Sequence, residues 1–146
     1  MRISKIALAL TAALAFGAPL AYGQAAHDHD HAAGGATLVL NQGKKWATDA
    51  PLRQGMENIR AALGAGMKYQ ALANKVNAEV AGIVQNCKLE PEADAQLHLV
   101  IAELMAGAEA MEGKVKGETR RAGAEKVARA LNAYGEHFDH AGWKRL

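Results

Sequence analysis

The stretch LHLVIAELMAGAEAM, residues 97–111, decides the fold. Its large apolar side chains recur at intervals of four and three residues, which places them along one side of an α-helix. The stretch therefore predicts a helix with one buried face, suited to the shallow crossing angle of helical bundles. The predicted buried stripe consists of Leu97, Ile101, Leu104, Ala108 and Met111.

Three further helices are predicted around this one. The first opens at TDAP (48–51), where Thr48 or Asp49 can cap it, and stops at GAG (64–66). The second covers about 67–86, the third starts near Pro91, and the fourth follows the turn EGKVKG (112–117) and runs to about His140. Four amphipathic helices with short loops predict an all-α, up-down-up-down antiparallel four-helix bundle, preceded by a disordered N-terminal segment.

The first 23 residues have the pattern of a secretory signal peptide. Arg2 and Lys5 precede an apolar run over residues 6–18, and small residues lead to a cleavage site near Gly23 or Ala25. The run is shorter than the ~20 residues that a membrane span needs, so we expect a periplasmic protein without a membrane span. Residues 24–46 are predicted to form a flexible, histidine-containing lead-in, and residues 47–146 the bundle.

The net charge excludes two classes of partner. The chain has 17 Lys and Arg residues against 15 Asp and Glu residues. Removal of the signal peptide takes away Arg2 and Lys5, which leaves 15 residues of each sign. Nucleic acids and anionic membranes bind positive surfaces, so neither is an expected partner.

Candidate metal ligands gather at one end of the predicted bundle. The motif AAHDHDHAAGG (25–35) alternates three histidines with two aspartates and leads into that end. Thioether and thiolate sulfur favour Cu(I), while imidazole suits copper or zinc, so we expect a copper-binding protein. The predicted metal ligands are Met56, Cys87, His98, His137 and His140 in the bundle and His27, His29 and His31 in the motif.

Each of these residues also has a structural interpretation. Met56 suits a core position, and Cys87, the one cysteine, suits a small buried position. His98 suits a hydrogen-bonded boundary position. His137 and His140, near the C-terminal end of a helix, can interact favourably with the helix dipole. The histidine motif then is a solvated spacer, and the two tryptophans, Trp46 and Trp143, form an apolar cap over the bundle end.

Two segments resemble a known family. PLRQGMENIRAAL (51–63) and LNAYGEHF (131–138) are similar to the first and last helices of the soluble periplasmic b-type cytochromes that fold as four-helix bundles. The resemblance implies haem b with Met56 and either His137 or His140 as axial ligands. The chain departs from the family at Gly135, because the family's histidine directly follows the tyrosine that matches Tyr134.

A second resemblance covers three segments, WATDAPLRQGM (46–56), NCKLEPEADAQLH (86–98) and YGEHFDHAGW (134–143). They are similar to a family of small exported bacterial proteins described as DnrO-like. This resemblance implies the fold and the export of the chain, and no activity.

Three functions therefore stay open at this stage. They are copper binding, haem-based electron transfer, and a non-enzymatic interaction or chaperone-like role. In the last of these, the tryptophans at the bundle end would bind another periplasmic protein. We expect no enzyme, because the sequence has no nucleophile with its base, no phosphate loop and no carboxylate pair in an apolar setting.

Overall fold

A computed structural model describes residues 37–146 and contains four α-helices within that range. They are α1 (Ala50–Gly64), α2 (Tyr69–Asn86), α3 (Pro91–Glu112) and α4 (Arg120–His137). The predicted all-α class is confirmed for this range. The predicted signal peptide, disordered segment and histidine motif lie in residues 1–36, outside the described residues. Among the helices of residues 37–146, none combines the length and the apolar character needed to cross a membrane.

Local sequence explains where the helices begin and end. The carboxylate of Asp49 accepts a hydrogen bond from the Leu52 N–H at 2.9 Å, and the Thr119 hydroxyl accepts one from the Ala122 N–H at 3.1 Å. Both residues satisfy donors that the first turn of a helix leaves open. At the other end, α3 stops at Gly113, whose φ of 81° is accessible to glycine at little cost.

The core contains side chains from all four helices. Every member of the stripe predicted in residues 97–111 is buried, and the least buried of them, Ile101, is 6% exposed. The largest fully buried side chains are Tyr134 and Phe138, at the C-terminal end of α4. The apolar centre of the domain therefore continues into the bundle end where the candidate ligands were predicted.

Glycines bring consecutive helices into close contact. A Cβ atom at Gly107 of α3 would lie 2.8 Å from the Gly123 carbonyl oxygen of α4, and one at Gly123 would lie 2.6 Å from the Gly107 oxygen. A Cβ atom at Gly55 of α1 would lie 2.6 Å from the Ile83 side chain of α2. Larger residues at these positions would push the helices apart.

Residues 37–48, called the strap below, lie against α3 and α4. The Val39 N–H donates to the Gln96 side chain at 2.8 Å, and the Trp46 indole N–H donates to the Val39 oxygen at 2.6 Å. Asn41 and Lys44 exchange backbone hydrogen bonds of 2.8 Å, which close a tight turn. Hydrogen bonds and packing therefore hold the part of the predicted flexible lead-in that the structure describes.

The strap also ends α4. The Trp46 N–H donates to the His137 oxygen at 2.8 Å, and the Asp139 N–H donates to the Trp46 oxygen at 2.8 Å. These two bonds replace the next helical hydrogen bonds, so the chain leaves the helix after His137. The prediction that α4 runs to His140 is therefore wrong by three residues. His140 lies in the C-terminal tail, residues 138–146.

Candidate functional site

His140 is the centre of a cluster of aromatic and charged side chains where the tail meets α1 and α4. Its side chain is 7% exposed, and its Nε2 atom lies 3.7 Å from Glu57 Oε1. Its Nδ1 atom lies 3.0 Å from the Tyr134 hydroxyl oxygen. The Trp143 ring completes the cluster, with its centroid 5.0 Å from that of His140 and 4.9 Å from that of Tyr134.

Burial keeps this cluster uncharged at its centre. It lowers the pKa of His140 more than the nearby Glu57 carboxylate raises it. Burial also raises the pKa of Tyr134, so the phenol stays protonated, and its O–H donates a hydrogen bond to Nδ1 of a neutral imidazole. This tautomer carries its own proton on Nε2, which faces Glu57. Nδ1 of His140 is thus hydrogen-bonded to Tyr134 and Nε2 lies 3.7 Å from Glu57, so a metal ion on either nitrogen would displace one of these neighbours.

Met56 lies inside the core. Its side chain is 0% exposed and packs within the same apolar cluster as Leu52, Tyr134 and Phe138. The structure therefore places Met56 where the structural interpretation of the sequence expected it. Its sulfur atom has no path to solvent without a rearrangement of the core.

Cys87 ends α2 and lies half-buried beside the first turn of α1. Burial, followed by the charge of Asp49 and a hydrogen bond to it, raises the pKa of the Cys87 thiol to about 12. The thiol is therefore protonated at neutral pH, whereas the thiolate is the form that binds metals and attacks electrophiles. The raised pKa opposes formation of the thiolate that a metal site at Cys87 would need.

His98 and His137 share one local geometry. The Nδ1 atom of each ring lies close to the carbonyl oxygen four residues earlier, at 2.9 Å from Asp94 O and 2.8 Å from Ala133 O. This contact fixes the ring, favours a proton on Nδ1 and leaves Nε2 as the ring nitrogen that can act as a ligand. Metal-binding histidines in proteins commonly use the same arrangement.

The two histidines nevertheless lie beside different grooves, one on each side of α3. His98 is two helical turns before Met105, which lines the groove between α2 and α3. His137 is one turn after Ala133, which lines the groove between α3 and α4 together with Leu38 and Leu99. The structure therefore does not bring His98 and His137 together.

A preformed metal centre is not found in the described part of the chain. Within residues 37–146, no group of three or more His, Cys, Asp or Glu side chains is arranged to hold a metal ion. The predicted convergence of Met56, Cys87, His98 and His137 at one open site is therefore not seen there. The predicted ligands His27, His29 and His31 lie outside the described residues.

The residues of the bundle end do not fit a haem. A haem would need open space between Met56 and a histidine of the last helix or tail. Surface pockets of about 260 to 490 Å³ within residues 37–146 are lined neither by Met56 nor by a histidine. The face at Gly135, where the cytochromes carry their histidine, is covered by Trp143, whose indole Nε1 would lie 2.3 Å from a Cβ atom there.

Several contacts at this end were not predicted from the sequence. Asp49 caps α1 and also accepts a hydrogen bond from the Lys88 N–H at 2.6 Å, which ties α1 to the end of α2. Arg60 binds Glu57 at 2.7 Å and lies 5.5 Å from the centroid of the Trp143 ring. The available signal was Gly135 itself, because a glycine inside a helical pattern often marks a close approach.

No protein-family model, curated protein or solved structure matches this chain significantly. The resemblances to the DnrO-like proteins and to the b-type cytochromes therefore stay predictions from the sequence.

Proposed function

We propose that this protein is an exported, periplasmic metal-binding protein and that its metal is copper. In this proposal His27, His29 and His31 capture the ion, and His137 is the residue of the folded domain that completes the site. Met56, Cys87 and His140 are assigned structural roles, since burial or hydrogen bonds engage each of them.

The observation that carries the proposal is the state and place of the His137 ring. Its Nδ1 atom is fixed against Ala133 O at 2.8 Å, so its Nε2 atom is the nitrogen left for a ligand. The same residue accepts a backbone hydrogen bond from Trp46 of the strap, the segment that follows the histidine motif. The domain thus holds one oriented imidazole, and the strap bonded to its backbone continues in sequence from the segment that carries the other three.

Chain length allows these imidazoles to meet. Leu38 lines the groove between α3 and α4 together with Ala133, which is one helical turn, ~5.4 Å, before His137. His31 is seven residues before Leu38, and seven residues reach at most ~25 Å. A segment of that length can span several helical turns, so the chain length is compatible with the proposal.

The ligand chemistry favours the divalent ion. Imidazole nitrogen and carboxylate oxygen are the groups that the motif and His137 offer, and this set suits Cu(II), with Zn(II) and Ni(II) bound less tightly. The soft sulfur groups that would favour Cu(I) are the buried Met56 and the protonated Cys87. The proposal therefore concerns capture of oxidised copper.

The proposal includes an up-down-up-down order of the four helices. Two contacts support an antiparallel arrangement of α3 and α4: Gly107 contacts Val127, and Met111, four residues later, contacts Gly123, four residues earlier. In this order the strap and the end of α4 lie at the same end of the bundle as Cys87.

A titration with Cu(II) tests the function. The purified protein should bind Cu(II), and replacing His27, His29 and His31 together by alanine should weaken binding at least ~100-fold. His137→Ala should weaken it ~10-fold, with loss of one nitrogen from the copper electron paramagnetic resonance spectrum. His98→Ala is the matched control, because His98 has the same ring geometry on the other flank of α3, and it should leave the affinity unchanged.

Two outcomes would contradict the proposal. If the triple variant binds Cu(II) as well as the wild type, the histidine motif is a spacer. If a native mass spectrum of protein taken from the periplasm shows the added mass of one haem, the electron-transfer alternative replaces copper binding.

A further inference from the structure

Residues 140–146, called the arm below, are attached to the helices by two rings. His140 and Trp143 are the members of the arm that are withdrawn from solvent, and the other five are exposed. The Trp143 N–H donates to the His140 oxygen at 3.0 Å, which closes a tight turn and places the two ring centroids 5.0 Å apart. Both rings pack against Tyr134, at centroid distances of 5.8 and 4.9 Å.

The remaining contacts of the arm lie at the surface. Arg145 pairs with Glu136 at 3.1 Å, and Asn132 exchanges hydrogen bonds of 2.9 and 3.5 Å with the backbone of Leu146. Exposed contacts of this kind contribute little to stability, because water competes for the same groups. Backbone hydrogen bonds to the strap hold the chain as far as Asp139. The arm can therefore leave the helices by a change of backbone angles after Asp139.

The packing of Trp143 leaves one polar group unsatisfied. Its indole Nε1–H is buried and has no hydrogen-bond partner within residues 37–146. A buried donor without an acceptor costs free energy that is recovered when the group reaches water. Contacts with Tyr134 and with the Arg60 guanidinium, 5.5 Å from the ring centroid, oppose this cost. The closed position of the arm is thus a balance that a modest change at His140 can shift.

The charge of His140 decides this balance. The neutral ring accepts the Tyr134 O–H of α4 at Nδ1 over 3.0 Å, and a proton on Nδ1 would leave a phenol that is 0% exposed without its acceptor. Burial opposes a charge on the ring most strongly. Of the charged groups of α1 that act on the ring, Glu57 favours a charge, whereas Arg53 and Arg60 oppose one. The net result is a lowered pKa of His140 in the closed position.

We propose that the arm is a pH-sensitive latch, closed while His140 is neutral and open once His140 has taken up a proton, with the four helices folded in both states. Release carries the imidazolium into water, where it needs no protein partner, and it allows the Tyr134 O–H and the Trp143 indole N–H to bond to water. The open latch uncovers the face of α4 at Gly135, over which the Trp143 indole lies when the latch is closed. This device goes beyond the proposed copper binding and does not depend on it.

Proton linkage sets the pH of opening. The imidazole of an open latch has an ordinary pKa of about 6.5, and that of the closed latch is lower. The closed form therefore dominates above about pH 6.5 and is lost as the pH falls below that value. A closed form that exceeds the open one about tenfold at neutral pH reaches equal populations at about pH 5.5. Each tenfold weakening of the docking raises this midpoint by about one pH unit, up to the limit of about pH 6.5.

Fluorine NMR of the protein labelled with fluorotryptophan tests the latch. Trp143→Phe assigns the two signals, and Trp46 in the strap supplies the reference. The samples contain a chelator, so failure of the copper proposal leaves this test intact. Between about pH 7.5 and about pH 4.5 the Trp143 signal should move to a solvent-exposed position, and a neutral paramagnetic agent in the water should broaden it only at the acid end. Circular dichroism should show an unchanged helical content over the same range.

Three variants identify the group that titrates. His140→Gln is uncharged at every pH, so the exposure of Trp143 should no longer change across the range. His98→Gln is the matched control, because that histidine is 62% exposed on α3, and it should titrate like the wild type. Gly135→Ala crowds Trp143 from α4 and should raise the midpoint toward about pH 6.5, or expose Trp143 at every pH where the docking is lost.

Three results would overturn the latch. The first is a Trp143 that stays protected at the acid end while the helices remain folded. The second is exposure of Trp143 that coincides with loss of the helical signal, since the whole domain would then unfold. The third is a wild-type midpoint in His140→Gln, which would assign the opening to another group, such as the Glu57 carboxylate.

Discussion

Replacing Gly135 by alanine tests the packing that separates this bundle end from a haem pocket. A Cβ atom at Gly135 would lie 2.3 Å from both Cδ1 and Nε1 of Trp143, well below the 3.0 Å that real Cβ atoms keep. The neighbouring atoms belong to a rigid indole, so the contact is relieved only if the ring moves as a whole. That movement would separate Trp143 from Tyr134 and Arg60.

The expected loss of stability follows from two opposing effects. Overpacking of a fitted contact costs ~1–3 kcal/mol, which includes the weakened edge-to-face contact with Tyr134 and the cation–π contact with Arg60. Alanine in place of glycine inside a helix contributes about 1 kcal/mol in the opposite direction. The free energy of unfolding should therefore fall by up to about 2 kcal/mol for Gly135→Ala, with a drop in Tm of ~4–8 °C per kcal/mol.

Urea denaturation followed by circular dichroism, at low micromolar protein concentration, measures this difference. Gly82→Ala is the matched control, because it is also a glycine inside a helix but has no atom within 4 Å of the added Cβ. That variant should gain up to ~1 kcal/mol. If Gly135→Ala were stabilised to the same degree, the tail would not pack against α4 as described, and the argument against a haem at this position would lose its main support.

Three further predictions concern the buried groups of the same end. Burial holds the pKa of His140 below its value in the unfolded chain, so the unfolded chain binds the proton first as the pH falls. The stability due to this histidine is therefore complete above about pH 6.5 and is lost as the pH falls toward the lower folded pKa. Between pH 7 and pH 5 the urea midpoint should fall less in His140→Gln than in the wild type. Asp49→Asn keeps a helix-capping side chain but removes a charge that raises the pKa of Cys87. Alkylation of the Cys87 thiol in the native protein at pH 8 should therefore become several-fold faster, with a smaller increase in Asp94→Asn. Met56→Ala should lower the free energy of unfolding by ~2–5 kcal/mol and leave Cu(II) affinity unchanged, since Met56 is a core residue; a lower affinity in a protein that stays folded would return Met56 to the ligand set.

Local patterns predicted the helices because their causes are local. The four-three spacing of Leu97, Ile101 and Leu104 predicts which side of the helix is apolar. That side is buried, and the prediction did not require the identity of its packing partner. Asp49 before α1 and Gly113 after α3 likewise act within a few residues of their own positions. These features need no knowledge of the tertiary structure.

The end of α4 and the candidate site depend on contacts that are distant in sequence. The helix stops at His137 because Trp46, some ninety residues earlier, takes the next hydrogen bonds. Spacing alone continued the helix to His140 and thus placed that histidine on a helical face toward a metal. The state of Cys87 has the same origin, because Asp49 of another element accepts its hydrogen bond. Position along the helices therefore could not predict the partners of these two residues, because Asp49 and Glu57 are distant from them in sequence.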